Sequence, residues 1–532
     1  MADHNQEKLK SAERLDRVER VNTTVQNPIA FVATVGGEKR SIDEAYEYLQ
    51  HHADIIGEQN IDIARLRRKV DYRLMPIMYL IFGLQFLDKF LLNYAIVMGL
   101  PQDLKLKGNQ LNNIASALWW AYLPMSPIVG FIVNKAPLGK WLGGNMFCWG
   151  IVIACTAAVK SYPQLIIIRV LMGIFDAAIP PSLMLISSQY YRKDEQAARF
   201  AIWFSSVGMG YILGGLISFG FQHVHTETLE SWRIMFLVLG LISLIIGILC
   251  VIFMPDSPMR AKFLTDAEKT ALIHHVSVNQ TGITGHKIEW HQVRELFFDP
   301  QIWIIGFLSV LISCGSGILT IYATTIIKGF GFTSKEAALL NMPGGFIAIV
   351  STLGAAVVIR YHLMQRWAIS VVGYCLSLTG ACLVAFAPHN NRGAQLAGIY
   401  MVSFSIFTTG IKYQWTVANI AGHTKRSLAT ALMSGSFAIG NICAPYAIQM
   451  KDAPHFQTGK DILVSTKAAA ILIICALALY YFLVNKRRDR LYGKPGIGSG
   501  LMDSSAPMRL DDSSETWENL TDKERKSFRY VY

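Results

Sequence analysis

Charged residues are scarce in this sequence. Of its 532 residues, 16% are charged and 52% are hydrophobic, and the mean hydropathy is +0.33. A soluble domain carries about 25% charged residues, so this chain has too little polar surface for a soluble fold. Apolar runs recur between residues 74 and 484, and each has the roughly 20 residues that a helix needs to cross a bilayer. The composition indicates a polytopic helical membrane protein and excludes a secreted disulfide scaffold, a nucleic-acid binder and a soluble enzyme.

Paired cysteines and metal-binding spacings are also lacking. All eight cysteines lie inside apolar runs without a C-x-x-C or Cys/His spacing, so no disulfide, metal site or other cofactor is expected. An ATP-driven pump needs the phosphate-binding loop G-x-x-x-x-G-K-[ST], but Gly139-Lys140 is followed by Trp141. The sequence shows no Ser/His/Asp cluster or H-x-x-x-H helix that would indicate an enzyme. A transporter with this sequence is therefore driven by an ion gradient or is passive.

The apolar runs predict twelve transmembrane helices in a six-plus-six arrangement. The predicted spans are 74–95, 112–133, 141–159, 163–187, 199–221, 233–254, 301–323, 337–359, 367–387, 394–416, 428–448 and 463–484. The predicted domains are a cytoplasmic N-terminal tail (1–72), an N-terminal six-helix bundle (73–254), a cytoplasmic linker (255–299), a C-terminal six-helix bundle (300–485) and a disordered cytoplasmic tail (486–532).

The distribution of basic residues predicts the orientation. The inner ends of the predicted spans carry about three times as many Lys and Arg residues as the outer loops, and such an excess marks the cytoplasmic side. Both termini are therefore expected in the cytoplasm. Within the linker, residues 257–276 have the pattern of a short amphipathic helix, and Thr265 three residues before Glu268 predicts a capping pair.

Five ionisable residues inside the predicted spans are the main functional candidates. They are Asp88 and Lys89 in span 1, Arg169 and Asp176 in span 4, and Lys412 in span 10. Each costs at least about 2.5–3.5 kcal/mol at a helix centre, so each is expected to face a polar cavity or a partner. Arg169 and Asp176 share one helix face, roughly 10 Å apart along the axis. The four charges of spans 1 and 4 form either a substrate and proton site or a set of structural ion pairs.

Lys412 allows two interpretations of its own. It lies in the cytoplasmic half of span 10 beside Tyr413 and Trp415, a pattern that resembles an interfacial aromatic belt. Its ammonium group either snorkels to the inner membrane surface or points into the cavity and binds substrate.

The six-plus-six plan with a long central loop resembles the major facilitator superfamily. The loop between spans 2 and 3 is similar to that superfamily's G-x-x-x-D-[RK]-x-G-[RK] motif through Gly130, Lys135, Gly139 and Lys140. It departs from the motif because Asn134 stands where aspartate is usual and because two extra residues precede Gly139. The resemblance implies two six-helix bundles around a central site, with the loop residues in a gate.

Seven longer stretches resemble the fungal allantoate permease family of anion:cation symporters. They are LDKFLLNYAIVMGL (87–100), RVLMGIFDAAIPPS (169–182), YYRKDEQAARFAIWFSSVG (190–208), MPDSPMRAKFLT (254–265), TTIIKGFGF (324–332), NIAGHTKRSLATAL (419–432) and KDAPHF (451–456). This resemblance implies uptake of a small organic anion, often a carboxylate, together with a proton.

The resemblance also implies roles for the charged residues. Arg169 matches a span-4 arginine of the wider group, Asp176 stands where the family usually has Glu, and Asp88-Lys89 stands where it often has Asp-Arg. Arg169 would hold the carboxylate, Asp176 or Asp88 would take the proton, and Lys89 would add positive potential. Lys412 does not match the family pattern, so it would belong to this protein's own substrate. Polarity alone adds five candidate lining residues, which are Gln85, Asn93, Tyr211, Tyr322 and Asn341.

The expected function is proton-coupled import of a carboxylate such as allantoate, nicotinate, another vitamin or a small peptide, by alternating access. One alternative is a proton-driven exporter of a fungal metabolite or drug, although span 5 lacks the proline-glycine motif common to antiporters. Another is a nutrient-sensing receptor without net transport. The expected partners are the small organic anion, protons and the lipid bilayer, with no nucleic acid, and the protein is expected to be monomeric. The plasma membrane is the expected location, with the vacuole or another internal membrane as the alternative.

Overall fold

The protein is built from membrane-length helices in the predicted order. The computed structural model describes residues 61–133, 136–224, 229–277, 289–361, 363–388, 390–449, 452, 456–492, 521–525 and 528–532. Within these ranges all regular secondary structure is helical. The all-α fold predicted from the apolar runs is confirmed.

Eleven helices in the described ranges are long and apolar enough to cross a membrane. They are span 1 (Ile63–Val97), span 3 (Leu138–Ala158), span 4 (Tyr162–Tyr190), span 5 (Ala198–Phe221), span 6 (Ser231–Phe253), span 7 (Pro300–Gly329), span 8 (Ser334–Arg360), span 9 (Arg366–Phe386), span 10 (Arg392–Thr416), span 11 (Thr424–Ala447) and span 12 (Gln457–Tyr492). Span 2 is the helix Gln110–Val133, whose 24 residues include no charged side chain and extend about 36 Å. It completes the twelve-span order.

Span 1 begins earlier than its apolar run. Its helix starts at Ile63 and has 35 residues, so it extends roughly 52 Å and is longer than the hydrocarbon core of about 30 Å. Asp62 caps it by accepting a hydrogen bond from the Ala64 amide at 2.8 Å. The basic first turns therefore extend the helix beyond its apolar run. Of the predicted N-terminal tail (1–72), residues 1–60 lie outside the described residues.

Span 4 is broken at its charged centre. One helix ends at Asp176, and the next begins at Ile179 and contains Pro180 and Pro181 near its start. Proline has no amide hydrogen and clashes with the preceding helical turn, so the sequence itself dictates the interruption. The break places the Asp176 carboxylate next to backbone groups that are free of the regular helical pattern.

Spans 5 and 8 bring the two bundles into close backbone contact. A Cβ atom on Gly208 would lie 2.3 Å from the Gly345 carbonyl oxygen, and one on Gly345 would lie 2.5 Å from that of Gly208. Small residues allow helix backbones to approach closely within a membrane. These two glycines therefore allow spans 5 and 8 to cross closely, near the middle of both helices.

Hydrogen bonds join the two bundles at their outer ends. The Thr324 amide and hydroxyl of span 7 donate to Asn93 Oδ1 of span 1 at 3.1 and 2.6 Å. Asn341 of span 8 donates to the Tyr94 hydroxyl at 3.1 Å. Spans 2 and 11 are joined by Ser116, whose hydroxyl donates to the Ile442 carbonyl at 3.0 Å. The two bundles are therefore joined at this end, which is the outer end in the predicted orientation and is called the outer closure below.

The linker helix packs against the end of the N-terminal bundle that contains the first turns of span 1. It spans Asp266–Ser277, and Thr265 and Glu268 exchange reciprocal hydrogen bonds of 2.9 and 3.3 Å at its start, which confirms the predicted capping pair. Glu268 also binds Lys69 at 2.6 Å. Partial burial opposes ionisation of Glu268, but the Lys69 ammonium and the capping hydrogen bonds lower its pKa below the ordinary value. The helix is thus attached to span 1 by a charged pair.

The C-terminal tail differs from the expected disordered segment (486–532). Span 12 continues to Tyr492, and residues 521–525 and 528–532 pack on the end of the C-terminal bundle that contains the last turns of span 12. Tyr530 is 4% exposed, stacks on Tyr481 with ring centres 5.0 Å apart, and exchanges hydrogen bonds of 2.8 and 2.9 Å with Asn485. The predicted disorder is wrong for residues 486–492 and for the described residues from 521 onward. The prediction followed from the small and polar residues after position 493, and this composition does not extend to the aromatic residues at the end of the tail.

A buried lysine fastens this segment to the bundle. Lys425, at the start of span 11, lies within 2.8 Å of Glu295, 2.7 Å of Asp299 and 2.6 Å of Asp522, and its side chain is 0% exposed. The three carboxylates lie close enough together to hold a cation, but the Lys425 ammonium occupies their common centre. Asp522 comes from the C-terminal segment, so the cluster ties the chain end to spans 7 and 11.

Candidate substrate and proton site

Span 1 and the broken span 4 bring four buried charges together in the N-terminal bundle. Asp176 accepts a hydrogen bond from Gln85 Nε2 at 2.8 Å, and its other oxygen lies 3.1 Å from Lys89 Nζ. Asp176 is therefore paired with span 1 rather than with Arg169, the residue seven positions earlier on its own span. Asp88 lies within electrostatic range of Arg169, Asp176 and Lys89.

Arg169 has an unsatisfied guanidinium edge. The residue is 2% exposed, and neither Nε nor Nη2 finds a hydrogen-bond partner among the described residues. The Phe236 ring lies 5.9 Å from its Cζ atom. Nε and Nη2 form one side of the planar guanidinium fork, and this side matches the two oxygens of a carboxylate. Leaving such donors unpaired in a buried position is costly, so the geometry is suited to an anionic ligand.

Asp88 is the acid without a polar partner. It is 2% exposed, and in the described part of the chain neither carboxylate oxygen has a hydrogen-bond donor. A charged carboxylate in this environment is unfavourable unless a counter-charge is near. The carboxylates of Asp88 and Asp176 thus have different surroundings, because only Asp176 is bound by Lys89 and Gln85.

An aromatic pair connects this cluster to the C-terminal bundle. Lys89 Nζ lies 5.2 Å from the ring centre of Trp119 in span 2. The Trp119 and Phe437 rings meet edge to face with centres 5.4 Å apart, and Phe437 belongs to span 11. Lys412 Nζ lies 5.7 Å from the centre of the Phe437 ring. One cation from each bundle therefore flanks the aromatic pair at the bundle interface.

Lys412 is buried in the C-terminal bundle. It is 3% exposed, and its ammonium donates a 2.7 Å hydrogen bond to the Ser309 hydroxyl of span 7. Its Nζ lies 4.9 Å from the Tyr413 ring. This geometry agrees with an inward-pointing lysine and not with one that snorkels to the inner surface.

Several predicted lining residues lie at the outer closure instead of beside Arg169. Asn93 and Asn341 hydrogen-bond across the bundles, and the Tyr322 hydroxyl contacts the side-chain oxygen of Asn112. Tyr211 packs its ring on Phe90 with centres 3.9 Å apart. Of the five residues chosen for polarity, Gln85 is the one that contacts a member of the charged cluster.

The first turn of span 3, which carries Gly139 and Lys140 of the predicted motif, contacts the chain just after span 6. A Cβ on Gly139 would lie 2.4 Å from the Met254 carbonyl oxygen, so the glycine permits this contact. The Lys140 amide donates to Asp256 at 3.1 Å, and its ammonium lies 3.9 Å from the same carboxylate. A Cβ on Gly130 would meet open space. Asn134 and Lys135 lie outside the described residues, so their part in the predicted gate stays a prediction.

Three residues of the site were not predicted. Trp119 and Phe437 look like ordinary span residues, and only the packing of the two bundles reveals that they meet. Lys467 lies inside predicted span 12 and is 1% exposed. Its position as a lysine in an apolar run was a signal available in the sequence. Its ammonium donates to the Ser405 hydroxyl at 2.9 Å.

Comparison with known proteins agrees with this architecture. The family model "Major Facilitator Superfamily" matches residues 78–447. A bacterial homolog to the human lysosomal transporter Spinster, solved in an inward-facing and unoccupied conformation, superimposes with a TM-score of 0.55 at 14% identity, over 79% of this chain and 96% of that chain. This likeness concerns the fold.

Fungal transporters are similar over nearly the whole sequence. The "Thiamine pathway transporter THI73" of Saccharomyces cerevisiae is 34% identical, covering 88% of this chain and 86% of that protein. The "Allantoate permease" of the same yeast is 29% identical, covering 96% and 94% of the two chains. The chain is therefore a multi-pass membrane transporter of the Major Facilitator Superfamily, in the group of fungal members that includes allantoate permease.

Proposed function

We propose that the protein imports a small organic carboxylate together with a proton. The observation that carries this proposal is the buried guanidinium edge of Arg169, since no described residue accepts hydrogen bonds from Nε and Nη2. A carboxylate would accept both hydrogen bonds in a bidentate pair. Lys89 would add positive charge nearby, and Trp119 and Phe437 would pack against the organic part of the substrate.

Asp88 is the proposed proton carrier. Its oxygens are buried without hydrogen-bond donors among the described residues, whereas Asp176 is held by Lys89 at 3.1 Å and by Gln85 at 2.8 Å. Binding a proton removes the charge of Asp88, which lowers the cost of closing a dry site around the substrate. Asp176 would keep Lys89 in place during the cycle.

The closed outer side supports transport by alternating access. In this arrangement substrate would leave toward the cytoplasm, and opening would require the hydrogen bonds between spans 1 and 7 to break. Transporters of this kind rock two bundles around a site near the membrane midplane. We place the protein in the plasma membrane as a monomer. Allantoate, nicotinate, another vitamin and a small peptide are the substrates to test first.

Uptake of labelled carboxylates by cells expressing the protein tests the proposal. Uptake at external pH 5 should exceed that at pH 7.5 and should collapse with a protonophore. Arg169→Lys keeps the charge but loses the fork, so it should raise the apparent KM by about tenfold, or 1.4 kcal/mol. Arg360→Lys, at an exposed position in the last turn of span 8, is the matched control and should transport normally.

Three results would contradict the proposal. Uptake that is indifferent to the protonophore would exclude proton coupling. Normal transport by Arg169→Lys would show that the guanidinium fork does not hold the carboxylate. An outward flux driven by an inward proton gradient would favour the exporter alternative.

A further inference from the structure

The membrane interior of the C-terminal bundle contains buried positive charge without an acidic counterpart. Lys412 and Lys467 are 3% and 1% exposed. The only acidic residues in spans 7 to 12 are Glu336 and Asp461 near the outer ends and Asp489 near the inner end. In the N-terminal bundle, by contrast, two acids and two bases form the buried cluster. The excess positive charge is thus confined to the C-terminal half of the site.

Each lysine is held by a neutral hydroxyl group. Lys412 donates to Ser309 at 2.7 Å and Lys467 to Ser405 at 2.9 Å. The Tyr374 ring lies 5.3 Å from Lys467 Nζ. Tyr374 also lines a small cavity in the bundle together with Lys412 and two further hydroxyl residues, Ser370 and Thr408. Hydroxyl groups orient an ammonium but do not offset its charge, and an uncompensated charge in a low-dielectric interior is costly.

We infer that Lys412 and Lys467 form a second anion-binding subsite, so that the transported substrate is an organic dianion with an anionic group at each end. This inference rests on the proposed function, in which Arg169 holds the first carboxylate. The two cationic regions each contact one ring of the Trp119–Phe437 pair, Lys89 the Trp119 ring and Lys412 the Phe437 ring. A dicarboxylate would place one end in each bundle, and its apolar middle would lie against the two rings.

Binding to the purified full-length protein tests this inference directly. Linear dicarboxylates of four to eight carbons are compared with monocarboxylates of equal length at pH 7.5, where both classes are fully ionised. Ligand-induced thermal stabilisation gives the apparent Kd. The best dicarboxylate should bind at least about tenfold more tightly than its matched monocarboxylate.

Variants assign the preference to the lysines. Lys467→Met and Lys412→Met should each reduce the dicarboxylate preference to below about threefold, because each should weaken dicarboxylate binding more than monocarboxylate binding. Lys467→Arg should keep the preference because it keeps the charge. Lys460→Met is the matched control, since Lys460 lies on the same span and is 4% exposed, with Nζ 5.3 Å from the Phe330 ring.

The outcomes separate this inference from the proposed function. Equal affinity of the wild-type protein for dicarboxylates and monocarboxylates would overturn the inference that the substrate is a dianion. A dicarboxylate preference that survives Lys467→Met would overturn it as well. Proton-coupled uptake of a monocarboxylate alone would keep the proposed function and overturn only the second subsite. If folded protein neither binds nor transports any carboxylate, the proposed function fails and the inference fails with it.

Discussion

Replacing Lys425 by methionine should destabilise the cytoplasmic end of the C-terminal bundle. The ammonium lies within 2.8 Å of three carboxylates, of which Asp299 and Asp522 are 0% exposed. Removing one partner of a buried ion pair costs about 3–5 kcal/mol because the remaining charges stay buried. Here Gln301 still donates to Asp299 at 2.7 Å and to Asp522 at 3.0 Å, so we expect the lower end, about 3 kcal/mol.

The assay is thermal unfolding of the purified protein in detergent, followed by tryptophan fluorescence. Lys425→Met should unfold at a clearly lower temperature. The control is Lys69→Met, because the pair of Lys69 and Glu268 is partly exposed and such pairs contribute about 0–1 kcal/mol. Adding Asp522→Asn to Lys425→Met should recover part of the loss, since it removes one of the stranded charges.

Two results would refute this reasoning. An unchanged unfolding temperature in Lys425→Met would mean that the carboxylates do not need the ammonium. A double variant less stable than Lys425→Met would mean that Asp522 acts through its other contacts, such as the 2.7 Å hydrogen bond from the Tyr530 hydroxyl. Deletion of residues 521–532 should in turn destabilise the protein, because it removes the same acid together with the packed aromatic residues.

Three further predictions concern the transport cycle. Asp88→Asn should abolish proton-driven accumulation but preserve substrate exchange, because the amide resembles the protonated acid; accumulation that persists would move the proton site elsewhere. Asp176→Asn should lower both substrate affinity and thermal stability, the latter by about 3–5 kcal/mol, because Lys89 loses its counter-charge; unchanged stability would show that this pair is dispensable. Asn93→Ala removes the hydrogen bonds from Thr324, each with a net contribution of about 1 kcal/mol, so it should increase the accessibility of a cysteine placed at the outer end to a membrane-impermeant reagent. Unchanged accessibility would contradict a role of this contact in outer closure.

The sequence by itself determined the fold class and the charged residues of the N-terminal half of the site. Long apolar runs have few ways to satisfy their backbone groups in a bilayer other than as helices, so the twelve spans followed from hydropathy alone. Asp88, Lys89, Arg169 and Asp176 were identifiable because a charge within an apolar run is rare and expensive. The break after Asp176 was also encoded locally, in two consecutive prolines.

Only the tertiary structure decided which of these groups are partners. Arg169 and Asp176 lie on one helix face, yet Asp176 binds Lys89 and Gln85 of span 1, because the relative depth and rotation of two helices set their contacts. The position of Asn93 along span 1 also places it in the outer closure. The polarity of a side chain does not indicate how deep it lies in the bundle.

The contacts of the chain end and those of the bundle interface were also decided only by the tertiary structure, because they join segments that are distant in sequence. Asp522 and Tyr530 follow a long polar stretch, and nothing local indicates that Lys425 lies nearly 100 residues away in sequence but 2.6 Å away in space. Trp119 and Phe437 likewise meet only because two separate bundles pack together. Local composition determines what each segment can form, whereas contacts between distant segments depend on how all twelve helices pack at once.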